Sequence, residues 1–383
     1  MRILTSLQPH RIVFGCGCLT DALEYIASLP EVRIHLVSSP SQRTTIASMQ
    51  HILDEKGFNV TVDDTISAEP TQAAFANALN KARQANPTCI VGLGGGSPLD
   101  VAKLLAAFLH NDQEVEDTFG INLLQGRNCH LICIPTTAGT GSEVSPNAIL
   151  LDETARLKKG VISPYLVPDA TFIDPELTRS LPPQVTAFTG MDALTHCIEA
   201  YTNRFAHPLV DLYALEGIRL CATFLARAVA NGNDIEAREG MARASLYGGL
   251  CLGPVNTAAV HALAYPLGGE FHVPHGLSNA VLLPAVFRFN CEASPDRHAA
   301  VALALGVQQH ASVSETAQAG AKALAALSRL CGLDCDLRRY GVVSETVPRM
   351  AEMAMTVTRL LRNNPREVTH ADAEKLYRES LNL

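Results

Sequence analysis

Asp192 and His196 stand four residues apart in Gly190-Met191-Asp192-Ala193-Leu194-Thr195-His196, a stretch with a helical pattern. On a helix that spacing puts both side chains on one face, about 6 Å apart. A carboxylate and an imidazole so placed can grip one divalent cation. Two further imidazoles follow, His261 in Val260-His261-Ala262-Leu263-Ala264-Tyr265-Pro266 and His275 in Pro274-His275-Gly276. Three imidazoles and one carboxylate are a ligand set for Fe²⁺ or Zn²⁺, with a coordination position left for a substrate oxygen. The plainer alternative is a helix-capping aspartate and three unrelated histidines.

A second group of residues suits an anionic ligand. Val91-Gly92-Leu93-Gly94-Gly95-Gly96-Ser97-Pro98-Leu99-Asp100 reads as strand, glycine turn and helix, with Ser97 as N-cap, Pro98 at the first helical position and Asp100 as the capping-box acid. Free N–H groups at such a helix start attract phosphate. The third glycine of the usual dinucleotide fingerprint is absent. A second loop, Pro135-Thr136-Thr137-Ala138-Gly139-Thr140-Gly141-Ser142-Glu143, leaves the following strand with hydroxyls and glycines suited to ribose or phosphate, because ligands of open α/β sheets sit at the carboxyl edge.

The elements that must position these groups divide at Leu181-Pro182-Pro183. Before it, strands expected at residues 33–37, 59–62, 89–93 and 130–134 alternate with helices at 44–56, 71–84 and 98–110, which predicts a parallel sheet covered by helices. Residues 148–151 and 170–173 read as further strands, as a hairpin edge. Beyond it, helical periods recur at 187–201, 209–230, 235–252, 299–304, 316–330, 347–361 and 371–381. The expectation is an α/β dinucleotide-binding domain over residues 1–182 and an all-α domain over 183–383, with a cleft between them.

Composition narrows the function. The chain has 383 residues, 47% of them hydrophobic and 18% charged, enough for two cores in a globular protein. A net charge of −8 argues against nucleic acid and anionic membrane surfaces as partners. Eleven scattered cysteines do not form a disulfide framework, and the start lacks a signal-peptide pattern, so a cytoplasmic location is expected.

Taken together, Gly94-Gly95-Gly96-Ser97 with Asp100 and Lys103, the 136–143 loop, Gly190–His196, and His261 with Pro274-His275-Gly276 closely resemble the iron-containing (group III) alcohol dehydrogenases, from about Arg11 onward. The resemblance implies a dehydroquinate synthase-like fold, with the nicotinamide cofactor on the α/β domain and the metal on the helical one. It assigns Asp192, His196, His261 and His275 to Fe²⁺, or to Zn²⁺. It assigns Gly95, Gly96, Ser97 and Asp100 to the pyrophosphate and its surroundings, Thr136, Thr137 and Thr140 to the nucleotide, and Lys158 to the nicotinamide ribose. A homo-oligomer, dimeric or larger, is also implied.

Three departures from the family pattern stand out. Tyr265 replaces a histidine common four residues after the third ligand, leaving Tyr265 or His272 as the proton relay. Ser39 stands where NAD-preferring members carry an aspartate, with Arg43 nearby; both NAD and NADP stay open, with a lean toward tolerance of NADP. Gly253-Pro254-Val255-Asn256-Thr257 replaces a run of small residues, so the substrate pocket is expected to differ from that of ethanol or propanediol enzymes.

The implied reaction is hydride transfer between a small alcohol, made acidic by the cation, and NAD or NADP. Alternatives within the same scaffold are a hydroxyacid–oxoacid transhydrogenase, which shares the tyrosine, and a maleylacetate reductase-like enzyme, against which the intact ligand set speaks. A non-catalytic metal- or nucleotide-binding protein is the alternative from a different class.

Overall fold

The computed structural model describes residues 3–66, 69–155 and 157–381. Its strands are β1 (Arg11–Phe14), β2 (Ile34–Val37), β3 (Val60–Asp63), β4 (Cys89–Gly94), β5 (Gly120–Ile121), β6 (His130–Pro135), β7 (Asn147–Asp152), β8 (Leu157–Ile162) and β9 (Ala170–Ile173). The helices among them are α1 (Leu19–Ser28), α2 (Arg43–Glu55), α3 (Gln72–Ala85) and α4 (Gly96–Phe108). Then come α5 (Pro183–Thr202), α6 (Pro208–Ala230), α7 (Ile235–Leu252), α8 (Ala259–Phe271), α9 (His275–Asn290), α10 (Pro295–Ala304), α11 (Val313–Leu330), α12 (Val347–Met355), α13 (Thr358–Leu361) and α14 (His370–Leu381).

By internal contacts the chain forms two compact units. One comprises Leu7–Thr137 and Gly141–Arg179; the other runs from Ser180 onward and includes Ala138–Thr140 and the N-terminal residues up to Ser6.

In the first unit, six of the described strands form a parallel sheet in the order β1-β9-β6-β4-β2-β3. The central strands Cys89–Gly94 and Ala170–Ile173 are buried throughout, as expected of strands covered on both faces. One apolar cluster, built by α3 and α4, includes Phe75, Leu104 and Phe108; another, built by α1 and α2, includes Ile26, Met49 and Leu53. The expected hairpin edge is corrected. Asn147–Asp152 does pair antiparallel, but with Leu157–Ile162 in a separate three-stranded sheet, while Ala170–Ile173 lies inside the parallel sheet between β1 and β6. The strand β8 carries Lys158 and Lys159, whose heads are drawn to Glu69 and Asp152, so its sequence lacks an apolar run.

The second unit is helical around one apolar core that includes Leu194, Leu225, Leu263 and Leu283. Pro183 opens α5, its missing N–H costing nothing at the first helical position. Two helices were not apparent from periodicity. In α8 and α9 almost every side chain is buried, and Pro266 and Pro284 lie inside them, so no polar face marks the helical repeat. The expected helix at 347–361 is broken at Thr356-Val357 into α12 and α13.

Candidate metal centre and nucleotide loop

Asp192, His196 and Glu199 lie on one face of α5, three and four residues apart. His261 is on the first turn of α8, and His275 is the first residue of α9. The start of α9 presses so closely on α5 that a Cβ on Gly276 would lie 1.9 Å from the Phe188 carbonyl oxygen. Only glycine permits that approach, and it brings His275 to the α5 face.

The side chains converge. Asp192 Oδ1 is 3.6 Å from His196 Nε2, 3.5 Å from His261 Nε2 and 3.6 Å from His275 Nε2. Ligand atoms of Asp192, His261 and His275 all lie within 4.8 Å of one another. The His196 ring stacks on that of His261 at 4.8 Å. Asp192, His196 and His261 are buried, and His275 is partly open. Burial alone would raise the Asp192 pKa, but the three imidazoles hold it far below the usual carboxylate range. Burial lowers that of His196 against the opposing pull of Asp192. A carboxylate oxygen thus faces imidazole nitrogens in a largely buried centre. This N₃O donor set fits Fe²⁺ or Zn²⁺.

Two further polar residues, outside the expected site residues, lie at this centre. Asn279 Nδ2 donates to Asp192 Oδ1 at 2.7 Å and lies 3.2 Å from His261 Nε2, while its own buried Oδ1 has no partner among the described residues. Glu199 Oε2 is 2.6 Å from His261 Nδ1. Burial opposes protonation of His261, but Glu199 and Asp192 outweigh it and raise the pKa to about 9. Helical spacing carried the signal for both: Asn279 is four residues after His275, and Glu199 three after His196.

In the sheet unit, the loops after β4 and β6 are neighbours. Thr136 N donates to the Gly94 carbonyl at 2.9 Å, and Thr137 packs against Gly95. Gly94, at φ +150°, turns the chain so that Gly95 caps a helix beginning at Gly96. The expected cap is corrected accordingly. Ser97 lies inside α4, and its hydroxyl accepts from Glu69 N at 3.2 Å. Glu69 in turn pairs with Lys158 Nζ at 2.6 Å, which ties Ser97, Glu69 and Lys158 together. Asp100 reaches back to no helix terminus. It accepts from Ser142 Oγ at 2.5 Å and Ile149 N at 2.9 Å, clasping the second loop.

The remaining expected site residues lie as follows. Thr140 belongs with the helical unit. The Ser39 hydroxyl pairs with Ser41 at 2.8 Å, beyond the end of β2. Tyr265 is buried on α8, four residues after His261, with its ring 6.4 Å from that of His275. His272 is exposed in a left-handed conformation at the end of α8. No described helix is long and apolar enough to cross a membrane.

Residues 9–175 match the family model described as iron-containing alcohol dehydrogenase, and residues 186–381 match that of the C-terminal part of the Fe-containing alcohol dehydrogenase family. The chain is 36% identical over 385 residues to long-chain-alcohol dehydrogenase 1 of Geobacillus thermodenitrificans (strain NG80-2), covering 97% of this chain and 96% of that enzyme. It is similar to a crystal structure of 1,3-propanediol oxidoreductase, with a TM-score of 0.94, 33% identity, and 99% and 100% of the two chains covered. The structure of sulfoacetaldehyde reductase from Bifidobacterium kashiwanohense in complex with NAD⁺ superposes with a TM-score of 0.88, 27% identity, and 100% and 99% coverage.

Proposed function

The chain belongs to the iron-containing alcohol dehydrogenase family, and on that premise we propose that it interconverts a small alcohol and its aldehyde or ketone with NAD or NADP. The observation that carries this reading is the single buried oxygen of Asp192 within 3.6 Å of three imidazole nitrogens. Asp192, His196, His261 and His275 would hold the cation. When bound, it supplies Lewis acidity to an alcohol or carbonyl oxygen, while hydride transfer belongs to the nicotinamide.

The chain's own residues do the rest. Gly95, Gly96 and Ser97 offer the start of α4 to the pyrophosphate, with Thr136, Thr137 and Thr140 on the nucleotide. Asp100 serves them by fixing the second loop, and Lys158 is steadied by Glu69 for the ribose. Tyr265 is better placed than His272 to move the substrate proton, because it is buried with its ring 6.4 Å from that of His275 while His272 is exposed. Residues 1–182 then serve the nucleotide and residues 183–383 the metal and substrate.

The test is an assay of Fe²⁺-loaded protein with alcohols, diols and hydroxy acids, using each cofactor. Reduction of NAD or NADP that chelation abolishes and Fe²⁺ restores is expected. Tyr265 also favours a second reading, hydroxyacid–oxoacid transhydrogenation, which would show as turnover with the cofactor retained. All eleven cysteines are free, which supports a reducing cytoplasm. Exposed Phe205, Leu209 and Leu212 support a homodimer or larger assembly, to be checked by light scattering.

A further inference from the structure

Glu199 is 4% exposed and makes all its described bonds to the first turn of α8. Oε2 accepts from Ala258 N at 3.0 Å and Oε1 accepts from Val260 N at 2.6 Å. That turn has no cap of its own, since the N-cap residue Ala258 carries no acceptor. The same Oε2 lies 2.6 Å from His261 Nδ1. Both oxygens already accept from backbone N–H groups, so toward the ring Oε2 is an acceptor and Nδ1 the donor. On the other side of the ring, Nε2 faces the Asn279 amide nitrogen at 3.2 Å and Asp192 Oδ1 at 3.5 Å. The pocket that Glu199 lines with Thr202, Asn290, His298 and Asn364 contains no lysine or arginine that would compete for the carboxylate.

We propose that Glu199 is a positioning residue: it fixes His261 as the Nδ1–H tautomer and clamps its ring, so that the Nε2 lone pair points at the cation, while capping the helix that carries the ring. The proposal rests on the metal-centre reading above. A histidine ligand whose other nitrogen is held by a carboxylate is oriented and made more basic, and losing such a partner typically weakens metal binding about 10- to 100-fold. Glu199 touches neither substrate nor cofactor in this role.

The experiment uses the full chain with Co²⁺ as a visible probe and Zn²⁺ for ¹⁵N-histidine NMR. In the Zn²⁺-loaded wild type, the His261 signals, assigned by their loss in His261→Asn, should show Nδ1 protonated and Nε2 bound. Glu199→Gln should weaken Co²⁺ binding by about 10- to 100-fold in chelator competition and shift the Co²⁺ absorption bands. Glu199→Asp should fall between it and wild type. A purely structural role would lower the melting temperature while leaving Co²⁺ affinity and spectrum within about twofold, and that outcome overturns the proposal. So does a wild-type spectrum with Nε2 protonated, which needs no variant to fold. Failure of the metal reading itself looks different: wild type and His261→Asn would then bind Co²⁺ equally poorly.

Discussion

Each of the two units buries a polar cluster, and the clusters are built on opposite principles. In the sheet unit, Lys103 is fully buried and donates to the Ser142 carbonyl and hydroxyl, both at 2.9 Å, beside Asp100 at 3.6 Å. Asp100 is answered in turn by Ser142 and Ile149. Donors meet acceptors, and the network closes on itself. In the helical unit, one Asp192 oxygen faces three Nε2 atoms, and the Asn279 amide nitrogen donates to that same oxygen. One carboxylate and three imidazoles converge there on one point, and among the described residues no lysine or arginine pairs with that carboxylate. A closed network holds a loop in place, whereas a carboxylate ringed by imidazoles is a donor set for a cation, and this difference separates the two clusters more surely than burial does.

The largest test of that contrast is His261→Ala. It should abolish tight Fe²⁺ binding and lower kcat/KM by at least about 10³-fold, because the Lewis acid is worth several kcal/mol. Circular dichroism should show the fold retained. An equally active, metal-free variant would remove the cation from the chemistry. The counterpart in the sheet unit is Lys103→Ala, which leaves Asp100 buried beside no cation. It should cost about 3–5 kcal/mol in urea unfolding while Co²⁺ affinity stays unchanged. Loss of metal binding in this variant would break the comparison.

The units should also respond oppositely to pH. Burial lowers the pKa of His298, packed against Phe287, from 6.5 to about 4. Stability from its neutral ring is complete above about pH 6.5 and is lost as pH falls toward 4, a change of about 3 kcal/mol at most. Burial raises Glu143 in the sheet unit from 4.5 to about 7. Its contribution is complete below about pH 4.5 and fades as pH rises toward 7, to a similar extent. Urea unfolding between pH 4 and 8 should show His298→Gln removing a loss of stability toward acid and Glu143→Gln removing a loss toward neutrality. Both variants changing the pH slope in the same direction would refute the assignment.

The convergence of Asp192, His196, His261 and His275 was legible because Asp192 and His196 sit at helical spacing, and because glycine and proline flank the remaining histidines. The parallel sheet was legible from continuous apolar runs such as that of β4. The remaining elements have little contrast in the sequence. The helices bearing His261 and His275 are apolar on every side, so amphipathic periodicity is absent from them. Lys158 and Lys159 hid a strand because their partners, Glu69 and Asp152, are supplied by the fold. The role of Asp100 as a clasp depends on Ile149, forty-nine residues away, which no local capping rule foresees.

The smallest expected effect concerns cofactor choice. Ser39 in place of an acid, with Arg43 nearby, predicts tolerance of a 2′-phosphate, yet the Arg43 Nε lies 2.7 Å from Asp64 Oδ2. The arginine side chain is 71% exposed, so the pair is weak, worth about 1 kcal/mol or less. Binding a phosphate would exchange one anion for another and bring it near Asp64, which repels it. Arg43→Ala should therefore change kcat/KM for NADP by less than about tenfold, with NAD unaffected. Asp64→Ala frees the guanidinium and should raise the NADP-to-NAD ratio a few-fold, an effect that fades at high salt. A ratio unmoved by Asp64→Ala, or a hundredfold loss with Arg43→Ala, would mean that the 2′-phosphate is read by other residues or that Arg43 grips it outright.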